Sequence, residues 1–417
     1  MATRPNGDVR LCCTSNASGA DIIDSKEIGL VKDNGVRMNL RDHTIEEVWN
    51  SSFMKQTRLN LLNNVVPDSC KKCFVEESKG IKSKRYWENV VWSQRINIDD
   101  RVSMMSSDGN LPVDIPYFDL RLGNLCNLKC VMCSPHDSSS WIKDWKIQTP
   151  KYTNQILIED QGWSKEMDYT WYKKGSFIDS MKDQVKNIKE LYFAGGEPLL
   201  IPEHYNILQW LIDDGYSKNV ILRYNSNGTE ISDELIEMWS KFKEVKFNFS
   251  IDAYGVKNDY IRYPSKWDNI TNNLTKLDKT SDNIIVNIAC AVQALNVMYL
   301  DELVDWKMSQ NFKKINTKQY GAGLIGLHLV YLPSYMNVRV LPYKLKVDIH
   351  RRIHNLIEKY SSQDFDYDPY GKQRWLGLIE YMREDWSTKL PALKQYLEVT
   401  DQTRGTDYTQ IFKELKL

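Results

Sequence analysis

Six short apolar runs, each followed by a stretch with helical spacing, organise the middle of this chain. They are YFDLRL (117–122), KELYFA (189–194), VILRYN (220–225), VKFNFSI (245–251), IIVNIACAV (284–292) and GLHLVYL (326–332). Their length and their β-branched and aromatic content predict strands. The intervening EHYNILQWLIDDG puts Ile207, Leu208, Leu211 and Ile212 on one stripe and closes on a glycine, as an amphipathic helix does. SDELIEMWSKF opens with a capping serine, Ser232, and an acidic first turn. Strands alternating with helices predict a parallel, helix-wrapped sheet or partial barrel. In such folds the chemistry sits at the carboxyl ends of the strands, and the distinctive polar motifs fall there. The first strand runs into LGNLCNLKCVMCSPHD (122–137), the second into Gly195-Gly196-Glu197-Pro198, the third into Ser226-Asn227-Gly228-Thr229, and the fourth into Ser250 and Asp252.

The flanks read differently. Residues 1–113 lack long apolar periodicity, carry two cysteine groups and end in the turn-rich MSSDGNLPVD, the pattern of a small metal-stapled module and a linker. Residues 114–335 form the βα core, and residues 336–417, with HRRIHNLIEKY and TQIFKELKL, read as a mainly helical tail. A length of 417 residues suits two or three cores of ordinary size. Lys plus Arg equals Asp plus Glu at 55 each, so no global field draws the chain to nucleic acid or anionic lipid. The start MATRPNGDVR lacks the apolar core of a signal peptide, and no apolar run reaches the roughly 18 residues of a membrane span. A cytoplasmic protein without a membrane partner is expected.

In that compartment the eight cysteines are not expected to form disulfides. Seven fall into three groups: Cys12-Cys13, Cys70-x2-Cys73, and Cys126-x3-Cys130-x2-Cys133. Thiolates so clustered select zinc, copper(I) or iron–sulfur clusters. The central triplet is one ligand short of a closed site, which leaves either a zinc site completed by His136 or a four-iron cluster with one iron open to a substrate or cofactor. Cys290, inside IIVNIACAV, reads as an ordinary buried thiol.

Cys126-x3-Cys130-x2-Cys133 after the first strand and GGEP after the second resemble the core of the radical S-adenosylmethionine superfamily. The resemblance implies a partial (β/α)6 TIM-like barrel, with Cys126, Cys130 and Cys133 holding a [4Fe-4S] cluster whose fourth iron is chelated by S-adenosylmethionine. Gly195, Gly196, Glu197 and Pro198 resemble the segment that receives the methionine amino group, Ser226 and Asn227 the third-strand polar pair, and Ser250 and Asp252 the ribose-contacting positions. Arg262, in DYIRYP, resembles a basic residue that meets the methionine carboxylate. Met132 stands where the family commonly has an aromatic residue beside the adenine, and offers a polarisable apolar contact. The implied chemistry is reductive cleavage of S-adenosylmethionine to methionine and a 5′-deoxyadenosyl radical, which abstracts hydrogen from a substrate. A flavodoxin or ferredoxin is the expected electron donor.

The amino-terminal segments NGDVRLCCTSN, TIEEVWNSSFMKQTR and PDSCKKCFVEESKGIKS resemble the auxiliary-cluster module called SPASM, or its shortened twitch form. The matching residues are Gly7, Cys12, Cys13, the Glu-Val-Trp-Asn run at 47–50, Pro67, Cys70 and Cys73. The resemblance implies a second, auxiliary iron–sulfur cluster of [4Fe-4S] type; a zinc knuckle on the same four thiols is the alternative. Neighbouring side chains of an extended segment point to opposite faces, so both Cys12 and Cys13 reach one cluster only if the chain kinks there. Ligation by one of them would leave an open iron able to coordinate substrate, and ligation by both would suit electron transfer. The tail segment KQYLEVTDQTRGTDY (394–408) resembles the tails of twitch-containing radical proteins and is expected to be structural.

The connection between Cys133 and the second strand is long and carries Trp141, Trp145, Trp163, Trp171 and Tyr172. It forms either a lid or substrate platform, or a segment packed on its own tryptophans. His204 reads as a solvent-facing residue, and no side chain is assigned as general base. The auxiliary module favours a peptide or protein substrate. A small metabolite or nucleotide is the alternative within the family, and a zinc-stabilised binding module the alternative outside it.

Overall fold

A computed structural model describes residues 1–15, 28–78, 80, 82–159, 167–315, 324–361 and 369–417. Trp163 and the stretch 16–27 that follows the cysteine doublet lie outside the described residues. The chain divides into two compact units: Met1–Asn124 with Met167–Leu222, and Leu125–Glu166 with Arg223–Leu417.

In the first unit, β1 (Ala2–Thr3) and β2 (Val9–Arg10) pair antiparallel, and β3 (Lys32–Asp33) forms a small hairpin with β4 (Val36–Arg37). Strand β1 also joins β5 (Tyr117–Leu120) in parallel, with Ala2 opposite Asp119. Strand β5 runs parallel to β6 (Glu190–Phe193), with Asp119 opposite Tyr192 and Leu120 opposite Phe193. Phe118, Leu120, Leu191 and Phe193 are buried, and alternation puts Asp119 and Tyr192 on the other face. Strand β7 (Ile221–Ser226) starts beside β6, where the Ile221 N–H donates to the Lys189 carbonyl at 2.9 Å.

The Glu-Val-Trp-Asn run lies in and just after the helix Ile45–Trp49 and builds its scaffold. Glu47 closes a capping box with Thr44, Val48 is buried, the Trp49 indole N–H donates to the Pro112 carbonyl at 3.2 Å, and Asn50 accepts from the Leu111 N–H at 3.1 Å. The helix Pro202–Asp213 buries Ile207, Leu208 and Leu211 on the expected stripe.

The second unit continues β7 and adds β8 (Glu244–Ser250), β9 (Ile284–Val292) and β10 (Gly326–Leu329). Strands β8 and β9 are parallel from Val245–Ile284 to Ser250–Ala289, and β9 and β10 from Ala289–Gly326 to Val292–Leu329. Strand β8 alternates buried Val245, Phe247 and Phe249 with half-buried Lys246, Asn248 and Ser250, so one face enters the core and the other stays polar. Trp239, from the helix Asp233–Ser240, packs with Tyr224 and Phe247 at 5.2 and 5.3 Å between ring centres, each such pair adding about 0.5–1.5 kcal/mol beyond burial. Ser232 caps that helix by accepting from the Leu235 N–H at 3.1 Å.

All six expected strands are present, with ends that differ by three residues or fewer. The fold is α/β with parallel strands, the partial (β/α)6 arrangement read from the sequence. The carboxyl-terminal region is helical: Tyr343–Tyr360, Pro369–Tyr381, Leu390–Arg404 and Tyr408–Ile411. Among the described residues no helix is long and apolar enough to cross a membrane.

Candidate functional site

In the second unit the loop 126–133 is irregular, so its backbone carbonyls need partners from elsewhere. The Ser140 hydroxyl donates to the Cys126 carbonyl and the Ser138 hydroxyl to that of Leu128, both at 2.6 Å. Arg404 donates to the Lys129 carbonyl at 2.8 Å, the Trp141 indole to that of Cys130 at 2.9 Å, and the Tyr396 hydroxyl to that of Val131 at 2.6 Å. Asp144, 4% exposed, ties this support together by pairing with Lys129 at 2.9 Å and Arg404 at 3.2 Å. The loop is held rigidly, so its thiols are presented without the cost of ordering a free segment.

The Lys129 and Val131 N–H groups donate to the Tyr263 and Ile261 carbonyls at 2.6 and 2.8 Å, which sets Cys130 opposite Arg262. The Arg262 guanidinium is 4.0 Å from Cys130 Sγ. Cys126 Sγ receives the Leu128 N–H at 3.5 Å and the Asn227 amide at 3.9 Å. The hydrogen bond from the Cys133 thiol lowers the Cys130 pKa, with Arg262 adding to that, while the same bond and burial push Cys133 up. Thiols with N–H donors and a cation at their sulfurs are the donor set that an iron–sulfur cluster uses. Among the described residues no three His, Cys, Asp or Glu side chains stand close enough to share a single metal ion; a cluster spreads its thiolates over several irons.

Asn227 latches the end of β7 to this loop. Its amide donates to Asn127 Oδ1 at 2.9 Å, its oxygen accepts from the Thr229 N–H and hydroxyl at 2.9 and 2.7 Å, and Asn127 in turn donates to the Thr229 hydroxyl at 2.8 Å. Ser226 accepts from the Gly228 N–H at 3.0 Å, Ser250 stands half-buried at the end of β8, and Met132 is half-buried in the loop. Asp252 is fully buried and faces inward. Its Oδ1 accepts from the Ala291 N–H at 2.7 Å and its Oδ2 lies 2.8 Å from Arg262 Nε, so both oxygens are engaged by the protein. Burial disfavours the Arg262 cation, but Asp252 and Cys130 hold its pKa above the ordinary value. Cys290 is fully buried beside the Asp252 carbonyl, as its apolar setting predicts.

In the first unit, Gly195 and Gly196 have φ of +72° and +50°, the left-handed region that glycine adopts without strain. A Cβ on Gly195 would lie 2.8 Å from the Arg121 side chain, so that glycine makes room for Arg121. Glu197, 1% exposed, accepts from the Leu199 N–H at 3.1 Å and caps the turn that Pro198 starts.

The amino-terminal thiols belong to the same unit. Cys12 turns on Ser15, whose hydroxyl donates to the Cys12 carbonyl at 2.6 Å. Burial raises Cys70, whose neighbouring charges include Cys12 and Cys73. Burial also raises Cys13, whose strongest charged neighbours are Lys84 and Asp119. Asp119 is 1% exposed, neither carboxylate oxygen has a hydrogen-bond partner among the described residues, and Arg121 Nε lies 3.8 Å away; burial raises its pKa.

Two family models match this chain: the radical SAM superfamily over residues 120–306 and the SPASM iron–sulfur cluster-binding domain over residues 1–74. The radical SAM match spans somewhat less than half of the chain and takes in the three-cysteine loop. It is 27% identical over 208 residues to the uncharacterized protein MJ0907 of Methanocaldococcus jannaschii, covering 47% of this chain and 60% of that one. Among solved structures it is similar to hexahistidine-tagged anSMEcpe with bound AdoMet, at 15% identity and a TM-score of 0.41, over 61% of this chain and 60% of the other. It is also similar to Streptococcus suis SuiB bound to the precursor peptide SuiA, at 15% identity and a TM-score of 0.36, over 60% and 47%. The chain thus spans less than two thirds of the length of each of these proteins.

Against this radical SAM framework, His204 corrects the sequence reading. It is fully buried against Phe193 and Tyr205 at 4.7 and 4.8 Å, and burial pushes its pKa down to about 3. Pro202 starts the helix two residues earlier and turns this position inward. Trp171 is fully buried and donates to the Pro5 carbonyl at 2.9 Å, Tyr172 is 4% exposed, and Trp141 is fully buried under the cysteine loop. These rings pack the fold and are not a platform open to substrate; Trp145 is half-buried beside Trp141 at 6.3 Å. Sequence reasoning missed Asp144, Tyr396 and Arg404 as supports of the loop, although the last two lie in the tail segment 394–408 that it expects to be structural.

Proposed function

We propose that this chain is a radical S-adenosylmethionine enzyme that abstracts hydrogen from a peptide or protein. The observation that carries the reading is the loop of Cys126, Cys130 and Cys133, fixed at five carbonyls and supplied with N–H donors at its sulfurs. Its three thiolates would hold a [4Fe-4S] cluster, one protein ligand short of a closed set. With cluster and cofactor both bound, the pair would supply the one-electron reductive cleavage of S-adenosylmethionine from which hydrogen abstraction follows. The protein's own residues bind and orient. Gly195, Gly196, Glu197 and Pro198 receive the amino group, Ser226, Asn227 and Ser250 contact polar parts of the cofactor, Met132 lies by the adenine, and Arg262 offers a cation to the carboxylate.

Cys12, Cys13, Cys70 and Cys73 hold the auxiliary cluster in this reading. The match to the SPASM iron–sulfur cluster-binding domain supports it; the peptide or protein substrate is read from the family resemblance. A flavodoxin or ferredoxin supplies the electron. The test is anaerobic incubation of the reconstituted chain with S-adenosylmethionine and dithionite, with 5′-deoxyadenosine measured. Replacing Cys126, Cys130 or Cys133 with alanine should abolish that product, whereas Cys70→Ala should spare part of it and lower bound iron from about eight to about four per chain. A fully loaded protein that forms no 5′-deoxyadenosine would refute the proposal, and equal loss in both sets would refute the division of roles.

A further inference from the structure

We propose that Asp252 is a positioning residue: its carboxylate holds the Arg262 guanidinium against Cys130, and the pair sets the one-electron potential of the cluster on the three-cysteine loop. This rests on the reading that these thiols hold an iron–sulfur cluster. The resemblance alone gave Asp252 to the ribose of the cofactor, and the geometry gives it another task.

Asp252 is fixed at every polar atom. Its N–H donates to Asn258 Oδ1 at 3.0 Å, its carbonyl accepts from the Asn296 amide at 2.9 Å, Oδ1 accepts from the Ala291 N–H at 2.7 Å, and Oδ2 lies 2.8 Å from Arg262 Nε. The last contact is charge to charge and not an aligned hydrogen bond. With no surface exposed, this carboxylate is closed to a ribose hydroxyl. Arg262 is positioned from its other side by the backbone pairing of 129–131 with 261–263, which leaves its Nη1 4.0 Å from Cys130 Sγ. A buried cation beside a ligating sulfur, with its counter-ion behind it, is the kind of charge arrangement by which a protein tunes such a centre.

The signs follow from charge alone. Reduction adds one electron, here from dithionite, and makes the cluster and its thiolates more negative by one charge. Arg262 favours the reduced state and Asp252 opposes it from further away. Arg262→Gln should therefore lower the potential and Asp252→Asn should raise it, since the asparagine oxygen can still meet Nε.

The measurement is a redox titration of the full reconstituted chain without S-adenosylmethionine, following by electron paramagnetic resonance the signal that disappears in Cys126→Ala. Shifts of opposite sign support the inference. Unmoved potentials, or an unmoved potential with weakened S-adenosylmethionine binding in Asp252→Asn, overturn it, the latter returning Asp252 to the cofactor. If a single variant does not fold, the double variant Asp252→Asn/Arg262→Gln, which buries no lone charge, should titrate below wild type; a value equal to wild type overturns the inference. A sample in which Cys126→Ala removes no signal would instead refute the cluster assignment itself.

Discussion

Replacing Asp144 with asparagine should loosen the cysteine loop while leaving the rest of the fold in place. The carboxylate sits between Arg404, whose side chain is 2% exposed, and Lys129, whose side chain is 21% exposed. Asparagine keeps the shape and one acceptor oxygen but leaves both cations without a counter-charge. Lys129 can turn toward water, so its loss is small. Arg404 cannot, because its guanidinium is stacked 4.5 Å over Trp141 and hydrogen-bonded to the Lys129 carbonyl. Leaving one buried charge uncompensated costs about 3–5 kcal/mol. That energy falls on the opening of the loop, since Arg404 and Trp141 both donate to its carbonyls. At about 1.4 kcal/mol per factor of ten, amide hydrogen exchange across 126–133 should quicken by roughly a hundred- to a thousandfold. Mass-resolved exchange on the cluster-loaded protein reads this directly, with β8 and β9 as internal controls. Exchange in the loop within about threefold of wild type would refute the claim that Asp144 supports it.

Two further outcomes follow from buried ionisable groups in the first unit. His204 is neutral when folded, with its pKa pushed down to about 3, and titrates near 6.5 when unfolded; protonation of the unfolded chain therefore costs stability as pH falls below about 6.5. The loss should approach about 1.4 kcal/mol per pH unit, and urea unfolding of His204→Phe between pH 6.5 and 5 should show a flatter profile than wild type; parallel profiles would refute the burial argument. Asp119 has its pKa raised by burial, so its stability contribution is lost as pH rises past the ordinary carboxyl range. Asp119→Asn should stabilise the protein at pH 7 by at least about 1 kcal/mol, with the gain shrinking under acid; a destabilised variant at pH 7 would show that Arg121 and Lys84 satisfy the charge.

What the sequence makes legible here is what neighbours along the chain decide. Strand β9 is legible to the residue, because IIVNIACAV is rich in apolar and β-branched residues, and Ile284, Val286, Ile288, Cys290 and Val292 are buried on one face. Strand β8 shows its alternation directly, and the helix at Asp233 announces its cap. The tie between β1 and β5 was not legible, since two residues of strand leave no periodicity to read. His204 and Trp171 were misjudged or left open for a related reason. A histidine at a helix start and a tryptophan in a long connection take their environment from distant partners, Phe193 for the one and Pro5 for the other.

The functional loop shows the limit most clearly. Its three cysteines lie within eight residues and could be found by spacing, but Tyr396 and Arg404 reach it from 265 and 275 positions away. Nothing local marks a tyrosine hydroxyl that will cap a carbonyl in another part of the chain. The same holds for Asp252. The resemblance gives it to the cofactor, and the partners of its carboxylate at Ala291 and Arg262 show that it points inward. Spacing locates the atoms that touch a metal, whereas the charges and hydrogen bonds that tune it are placed by the fold. A variant series confined to the conspicuous motif would therefore test whether the centre forms, and the inconspicuous positions 144, 252, 396 and 404 would test how it is held.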